Sequence, residues 1–483
     1  MNPKLVIRIV AILLIVISTF MVLPVIVALY YGEYDSIGPL IGTLLGTVVV
    51  AMTALGLTAS ERKQLGTRDG FLMVTLSWLS AAAVGALPFY LSGSIPRYVD
   101  AFFETMSGFS TTGATILTDI EALPHAMLFW RSLTHWLGGM GIIVLTVAIF
   151  PLLGVGGLQL MKAEAPGPSV DKITPKVTET AKILWLIYLG LTVAQTVLLM
   201  LGGLDLYEAL THTFGTLATG GFSPKNASVG HYTSAYVHIV VTVFMVMAGT
   251  NFILYYKLLT GRFRSVLQDS ELKAYFGIYA VVTLVIALIL TQAGSYSGFG
   301  ESLRFAGFQA ASILTTTGYA TDDFALWPAA AQAVLFSLMF LGGCAGSTGG
   351  GMKIVRILTL AKQGVHEMKY LIHPRGVFHI SLNGQSVKKS IVYAISGFVF
   401  LYIILLLITS LVVASGGYDL VTSFTTALAT LGNIGPGFGA IAPTENYAFF
   451  QDYIKWYLSF IMMTGRLEVF TILVIFTPHF WRD

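Results

Sequence analysis

Four short polar runs ending in glycine are the residues of this chain best suited to chemistry. They are Ser110-Thr111-Thr112-Gly113, Ala218-Thr219-Gly220-Gly221, Thr315-Thr316-Thr317-Gly318 and Gly432-Asn433-Ile434-Gly435. Their closing glycines lie 108, 97 and 117 residues apart. Each run follows a short amphipathic segment and sits between two long apolar stretches. The chemistry they suggest is coordination of a cation by backbone oxygens. Glycine reaches backbone shapes that side chains forbid. Threonine is stiff at its first side-chain torsion and can hold a loop while its carbonyl turns inward. Four such loops around one axis could replace an ion's water of hydration. The candidate ligands are Thr111, Thr112 and Gly113, then Thr219, Gly220 and Gly221, then Thr316, Thr317 and Gly318, and last Asn433, Ile434 and Gly435. Taken singly, any one run also reads as a small-residue contact between membrane helices. Four runs in the same setting favour the filter.

The segments before the runs must position them. Counting back from each glycine, Phe109, Leu217, Leu314 and Leu431 stand four residues earlier. Met106, Phe214, Ala311 and Leu428 stand seven earlier, and Phe102, Leu210, Gly307 and Phe424 eleven earlier. Offsets of three and four are helical spacing, so each run is predicted to cap a short helix. The partly negative C-terminal ends of four such helices, converging, would favour a cation. Asp100, Glu208 and Thr422 are expected to open three of these helices, whereas the third has Phe305 at that place.

Composition sets the surroundings. Of 483 residues, 55% are hydrophobic and 11% charged, against roughly 25% charged in soluble domains. This is an integral membrane protein. Spans of about 20 apolar residues are expected at 5–31, 37–59, 70–93, 126–153, 181–203, 234–260, 273–293, 328–360, 390–415 and 452–478. The first is too long for a cleavable signal and a second follows closely. Cys344 is the sole cysteine, so no intramolecular disulfide forms. The net charge of +3 gives no sign of nucleic-acid binding. No His/Cys/carboxylate spacing suits a metal centre, and no nucleophile–base pair indicates an enzyme.

Basic residues orient the spans, because short cytoplasmic loops collect Lys and Arg. With Lys4 and Arg8 inside, the loops carrying Arg62, Lys63 and Arg68, then Lys162, Lys172 and Lys176, then Lys257, Arg262, Arg264 and Lys273, then Lys362, Lys369, Arg375, Lys388 and Lys389, all fall inside, as does Arg482. Both termini are then cytoplasmic. Arg97, Arg131, Lys225, Arg304 and Lys455 fall outside. The asymmetry holds only if each polar run dips in from outside and returns there. Trp130, Trp136, Trp327 and Trp456, near span ends, fit an interfacial aromatic belt.

A second alignment lies in the span after each run. Small residues interrupt these spans at Gly138-Gly139, Ala248-Gly249, Gly342-Gly343 and Thr464-Gly465, followed by Met140, Thr250, Cys344 and Arg466. Two columns are candidate gates. One is the stretch Gly342 to Gly351, including Gly346, Ser347, Thr348, Gly349, Gly350 and Gly351. Each glycine costs a helix about 1 kcal/mol against alanine, so a flexible loop should divide the 328–360 span. Its resemblance to a phosphate loop fails, because Met352 intervenes before Lys353 and no strand precedes it. The other is Arg466, a charge at membrane depth that must face protein or water. It is read either as a barrier and latch for the loop or as a structural arginine held by neighbouring carbonyls. Glu468 is on a different helix face and is not its obvious partner. His135 and His212 are expected to bond locally, and Asn251 either lines the pore or bridges helices.

These stretches resemble the Trk/Ktr/HKT superfamily of potassium transporters. The likeness rests on Asp100–Thr115, Trp136-Leu137-Gly138-Gly139-Met140-Gly141, Ile149–Gly157, the Gly342–Gly351 loop and Gly465-Arg466-Leu467-Glu468-Val469-Phe470, and runs over nearly the whole chain. Two additional N-terminal spans favour the TrkH branch over the eight-span KtrB form. The resemblance implies an all-α polytopic membrane protein with four tandem M1–pore helix–M2 repeats around one pore and two extra N-terminal transmembrane helices. The units would be 1–65, 66–165, 166–265, 266–375 and 376–483. It further implies potassium as the transported ion, the four glycines as filter, the 346–351 loop and Arg466 as gate, and the bacterial inner membrane as location. It implies a homodimer and a cytoplasmic nucleotide-binding ring of TrkA type, with no organic cofactor in this chain. Tyr319-Ala320 departs from the Phe-Thr frequent in the family, and the fourth run is least like the others, so the ring should lack four-fold symmetry. A carrier built on inverted repeats is disfavoured, since these repeats run in one orientation. Proton or sodium coupling on the same fold stays open.

Overall fold

In lipid an apolar run satisfies its own backbone polar groups by coiling into a helix, and that requirement shapes most of this chain. The computed structural model describes residues 1–58, 66–141, 177–376 and 379–482. Arg62, Lys63, Lys162, Lys172, Lys176 and the Ile149–Gly157 motif lie outside the described residues. The helices, in order, begin with α1 (Pro3–Thr19), α2 (Val22–Tyr31), α3 (Tyr34–Leu57), α4 (Thr67–Leu91), α5 (Tyr98–Phe109) and α6 (His125–Gly139). Next come α7 (Val177–Leu201), α8 (Leu206–Leu217), α9 (Ala235–Ala248), α10 (Phe252–Leu259), α11 (Phe263–Leu267), α12 (Ser270–Gln292) and α13 (Phe299–Leu314). The remainder are α14 (Ala329–Leu338), α15 (Ile354–Ile372), α16 (Lys389–Ala414), α17 (Leu420–Leu431), α18 (Asp452–Arg466), α19 (Val469–Leu473) and α20 (Pro478–Trp481). A small hairpin, β1 (Ser381–Leu382) and β2 (Gln385–Ser386), turns at Asn383-Gly384 before α16.

Among the described residues, six helical stretches are long and apolar enough to cross a membrane, and two more qualify as bent pairs. The protein is therefore a multi-pass helical membrane protein. Two expected spans are corrected. The 234–260 span is α9 and α10, bent by 95°, and the 452–478 span is α18 followed by a stretch bent by 119°. In each a small or special residue ends the first half. Asn251 caps α10 by accepting from the Ile253 N–H at 2.9 Å, and Glu468 takes a left-handed φ of 62° before α19. The 328–360 span divides into α14 and α15 around an irregular loop, as its glycines lead one to expect.

Burial is distributed for lipid rather than water. Long helices leave large apolar side chains outside, among them Val49, Val50 and Leu57 on α3 and Phe400 and Leu411 on α16. The short helices α5, α8, α13 and α17 are enclosed. Every residue of α5 from Ala101 to Phe109 is buried, and α17 is buried continuously from Thr425 to Leu431. Their many threonines tolerate this by bonding back to their own helix. Thr105 donates to the Ala101 carbonyl at 2.8 Å, Thr216 to His212 at 2.7 Å, Thr315 to Ala311 at 2.7 Å and Thr430 to Thr426 at 2.7 Å. A hydroxyl satisfied in this way no longer opposes burial. Of the four belt tryptophans, Trp130, Trp136 and Trp327 are buried in the protein and only Trp456 is exposed. Trp130, for example, donates to the Gly85 carbonyl at 2.9 Å.

Candidate ion pathway

The four enclosed helices end at the residues aligned four before each glycine: Phe109, Leu217, Leu314 and Leu431. All four then close in the same way. Two residues before the glycine, Thr111, Thr219, Thr316 and Asn433 adopt left-handed φ values of 54°, 54°, 59° and 52°. Their N–H groups reach back three residues, and the next N–H reaches back five. Thr112 donates to Ser107 at 2.9 Å, Gly220 to Gly215 at 2.8 Å, Thr317 to Ser312 at 2.8 Å and Ile434 to Ala429 at 2.8 Å. This pair of bonds is the Schellman helix end, where glycine normally supplies the left-handed residue. Threonine there costs roughly 1–2 kcal/mol, a strain that persists only where the surroundings over-determine it. The glycines follow at φ 80°, 80°, 80° and 95°.

Close approach between loops explains why those positions are glycine. A Cβ on Gly113 would overlap the Gly220 carbonyl oxygen. One on Gly221 would overlap the oxygen of Thr317, and one on Gly318 that of Ile434. On Gly435 it would lie 2.7 Å from the Thr112 oxygen. Loop one thus touches two, two touches three, three touches four, and four returns to one. The four runs form a closed ring of backbone, and the fourth joint is the loosest. All four glycines line one cavity of about 110 Å³.

Side chains sew the ring together. Tyr447 donates to the Gly435 carbonyl at 2.6 Å, and its own N–H donates to Thr115 at 2.7 Å, tying the fourth loop to the first. The Tyr319 hydroxyl lies 3.0 Å from the His212 carbonyl and 3.1 Å from that of Phe222, tying the third loop to the second. Asn433 donates to the Thr112 hydroxyl at 2.9 Å and the Met462 carbonyl at 2.8 Å. His135 stacks on Phe222 at 4.0 Å and accepts from the Phe222 N–H at 3.3 Å, whereas His212 bonds to Ser223 at 3.0 Å. Both histidines are local bonding groups. Behind the first loop, the buried Glu104 and Arg131 pair at 2.6 Å. Glu104 also accepts from the Ile116 N–H at 2.8 Å, and Arg131 donates to the Ser223 carbonyl at 2.9 Å.

The five basic residues placed outside are each ion-paired: Arg97 with Asp452, Arg131 with Glu104, Lys225 with Glu208, Arg304 with Glu301 and Lys455 with Asp100. Asp100 and Glu208 stand in the first turns of α5 and α8, as expected. Asp205 and Asp419, three residues before Glu208 and Thr422, are the caps, accepting at 2.7 and 3.0 Å. Asp205 three residues before Glu208 is a capping pattern that the sequence contained. The third helix starts at Phe299, nearly two turns before its Phe305, with Glu301 in its first turn.

The interrupted spans pack against these helix ends. A Cβ on Gly138 would overlap the Phe109 carbonyl oxygen, and one on Gly465 that of Leu431. The loop between α14 and α15 lies directly against the ring. Gly350 donates to the Thr316 hydroxyl at 2.6 Å, and Thr348 donates through its hydroxyl to Ala248 at 3.1 Å. Cys344 donates to the Gly249 carbonyl at 2.8 Å, and Gly346 accepts from Phe252 at 3.0 Å. Asn251 sits at this bend beside Gly346. Lys353 reaches the Gly349 carbonyl. Arg466 donates to the Thr348 carbonyl at 2.5 Å on one side and to Gly138 and Gly139 at 2.8 and 2.7 Å on the other. Arg466 is thus held by neighbouring carbonyls, one of which belongs to the loop. Glu468 pairs with Arg356 instead.

The comparisons agree with this geometry. The family model described as TrkH, cation transport protein, matches residues 43–482. The chain is 42% identical to the Trk system potassium uptake protein TrkH of Escherichia coli K12, covering 100% of each. It is 35% identical to the Trk system potassium uptake protein TrkG of the same organism, covering 96% of each. The crystal structure of the potassium transporter TrkH from Vibrio parahaemolyticus superposes with a TM-score of 0.89 at 38% identity, covering 100% of both chains. The chain belongs to the TrkH family of cation transport proteins.

Proposed function

We propose that this protein takes up potassium across the bacterial inner membrane through a pore whose selectivity filter is the ring of four loops. The observation that carries the reading is the closure of that ring, with its four glycines lining one cavity. Carbonyl oxygens held in fixed loops can replace a cation's hydration shell. The potassium uptake for which its relatives are named supports potassium as that cation.

Residues 66–165, 166–265, 266–375 and 376–483 act as the four units around the pore. Thr111 to Gly113, Thr219 to Gly221, Thr316 to Gly318 and Asn433 to Gly435 supply the ion ligands. Gly346 to Gly351 is the gate and Arg466 its latch, a reading supported by the Arg466–Thr348 bond and by Gly350 beside Thr316. The chain works as a homodimer, with both termini cytoplasmic, and a cytoplasmic TrkA-type ring controls the gate. The naming of its relatives as proteins of a Trk system supports a regulatory partner.

Rubidium-86 uptake into proteoliposomes with potassium inside tests the activity. External potassium should block uptake and sodium should affect it little. Uptake blocked equally by sodium would refute a potassium-selective pore.

A further inference from the structure

One carboxylate oxygen holds both ends of the intramembrane loop. Glu271 Oε1 accepts from the Ala345 N–H at 2.8 Å and from the Val355 N–H at 3.0 Å. Ala345 immediately precedes Gly346, and Val355 lies in the first turn of α15. The glycine run therefore hangs between two points pinned to the same atom. Glu271 is 9% exposed, and an enclosed carboxylate needs such donors to remain in place. It is the second residue of α12, so its position follows the start of that helix.

The start of α12 is in turn gripped by the hairpin. Asp269 caps α12 through Oδ1, accepting from Leu272 at 2.9 Å, while its Oδ2 accepts from the Asn383 amide at 2.9 Å. Asn383 Oδ1 accepts from the Ser270 N–H at 2.6 Å, and the Asn383 N–H donates to the Ser270 hydroxyl at 3.3 Å. Asn383 and Gly384 form the hairpin's corner at φ 49° and 75°, the left-handed pair that a two-residue turn favours. Lys362 on α15 donates to the Ser381 carbonyl at 2.7 Å. The hairpin therefore touches the helix that carries the clamp and the helix that leaves the loop. Asn383 itself is exposed, on the side where the basic loops place the cytoplasm.

We propose that Glu271 is a positioning residue for the gate, and that the Asn383 corner fixes the start of the helix that carries it. Displacing the hairpin shifts the first turn of α12 and withdraws Oε1. Ala345 and Val355 then lose their shared acceptor together, and the loop is released at both ends. The inference rests on the reading of 346–351 as the gate.

The test is basal rubidium-86 uptake by purified, reconstituted variants that elute as the wild type does. Glu271→Ala should raise uptake about tenfold, the size expected from losing two hydrogen bonds. Glu271→Gln keeps an Oε1 on which both N–H groups can converge, and should restore most of the closure. Asn383→Ala, on the surface, should raise uptake less, and should add nothing in the Glu271→Ala background. Unchanged or reduced uptake in Glu271→Ala overturns the clamp, as does an Asn383→Ala effect that multiplies independently of it. Deleting 346–351 separates the two claims. If the deletion raises uptake while Glu271→Ala does not, the clamp fails and the gate stands. If neither raises uptake, the gate reading itself fails.

Discussion

The Gly350 N–H donates to the Thr316 hydroxyl at 2.6 Å, which puts the intramembrane loop in direct contact with the third loop of the ring. A Cβ on Gly350 would also come within 2.6 Å of the Gly432 carbonyl oxygen, so the contact extends to the fourth loop. The position equivalent to Thr316 has been put to different uses around the ring. Thr219 turns its hydroxyl to the Ala218 carbonyl at 2.6 Å, and Asn433 reaches across to Thr112 at 2.9 Å. One backbone geometry thus carries distinct side-chain duties, and Thr316 belongs both to the ring and to its contact with the intramembrane loop.

Thr316→Val keeps the branched shape and removes the acceptor. The Gly350 N–H is then unpaired in a buried place, at about 1–3 kcal/mol. Basal rubidium uptake should rise, with selectivity little altered. Uptake equal to the wild type would show that this bond does not hold the loop.

Arg466 bonds carbonyls on two sides through two different nitrogens. Arg466→Ala should raise basal flux. Arg466→Lys should restore only part of the closure, because a single ammonium lacks the planar fork. Flux measured on both variants decides this, and full restoration by lysine would assign the effect to charge alone.

Arg131→Met removes one partner of a pair that is 2% and 1% exposed. The stranded Glu104 carboxylate should destabilise the fold by about 3–5 kcal/mol. Thermal unfolding in detergent should show a clear fall in Tm, and adding Glu104→Gln should recover part of it. An unchanged Tm would mean that water reaches Glu104.

What the sequence revealed was what is local. The ends of α5, α8, α13 and α17 follow from helical spacing, and the break at 342–351 follows from glycine content, because both are set within a few residues. The bends at Asn251 and Glu468 escaped, since a hydropathy window averages over them, although an asparagine between two apolar helical runs was a capping signal. Glu104, Arg131 and Tyr447 were visible as residues, yet their partners lie on other elements. Glu271 looked like an ordinary acid at a span's start, and nothing near it announces a loop more than 70 residues away. Tyr319 carries a hydroxyl of its own that reaches the Phe222 carbonyl, a partner 97 residues away that no local pattern marks.

The looser fourth joint should show in substitution. Gly221 and Gly435 both have left-handed φ, at 80° and 95°, so alanine strains the backbone at either. At Gly221 the Cβ would lie 2.0 Å from the neighbouring backbone oxygen, against 2.7 Å at Gly435. Gly221→Ala should therefore lower potassium-over-sodium preference by a larger factor than Gly435→Ala. The reverse order, measured by competition in the same uptake assay, would contradict the geometry of the ring.

The most direct test of the ring as filter is the potassium-to-sodium uptake ratio of Gly113→Ser in proteoliposomes, set against the wild type. A serine Cβ would meet the Gly220 carbonyl oxygen and force the first two loops apart. The ratio should fall while the protein still folds and conducts. A ratio identical to the wild type in a conducting protein would contradict the assignment of these loops as the filter.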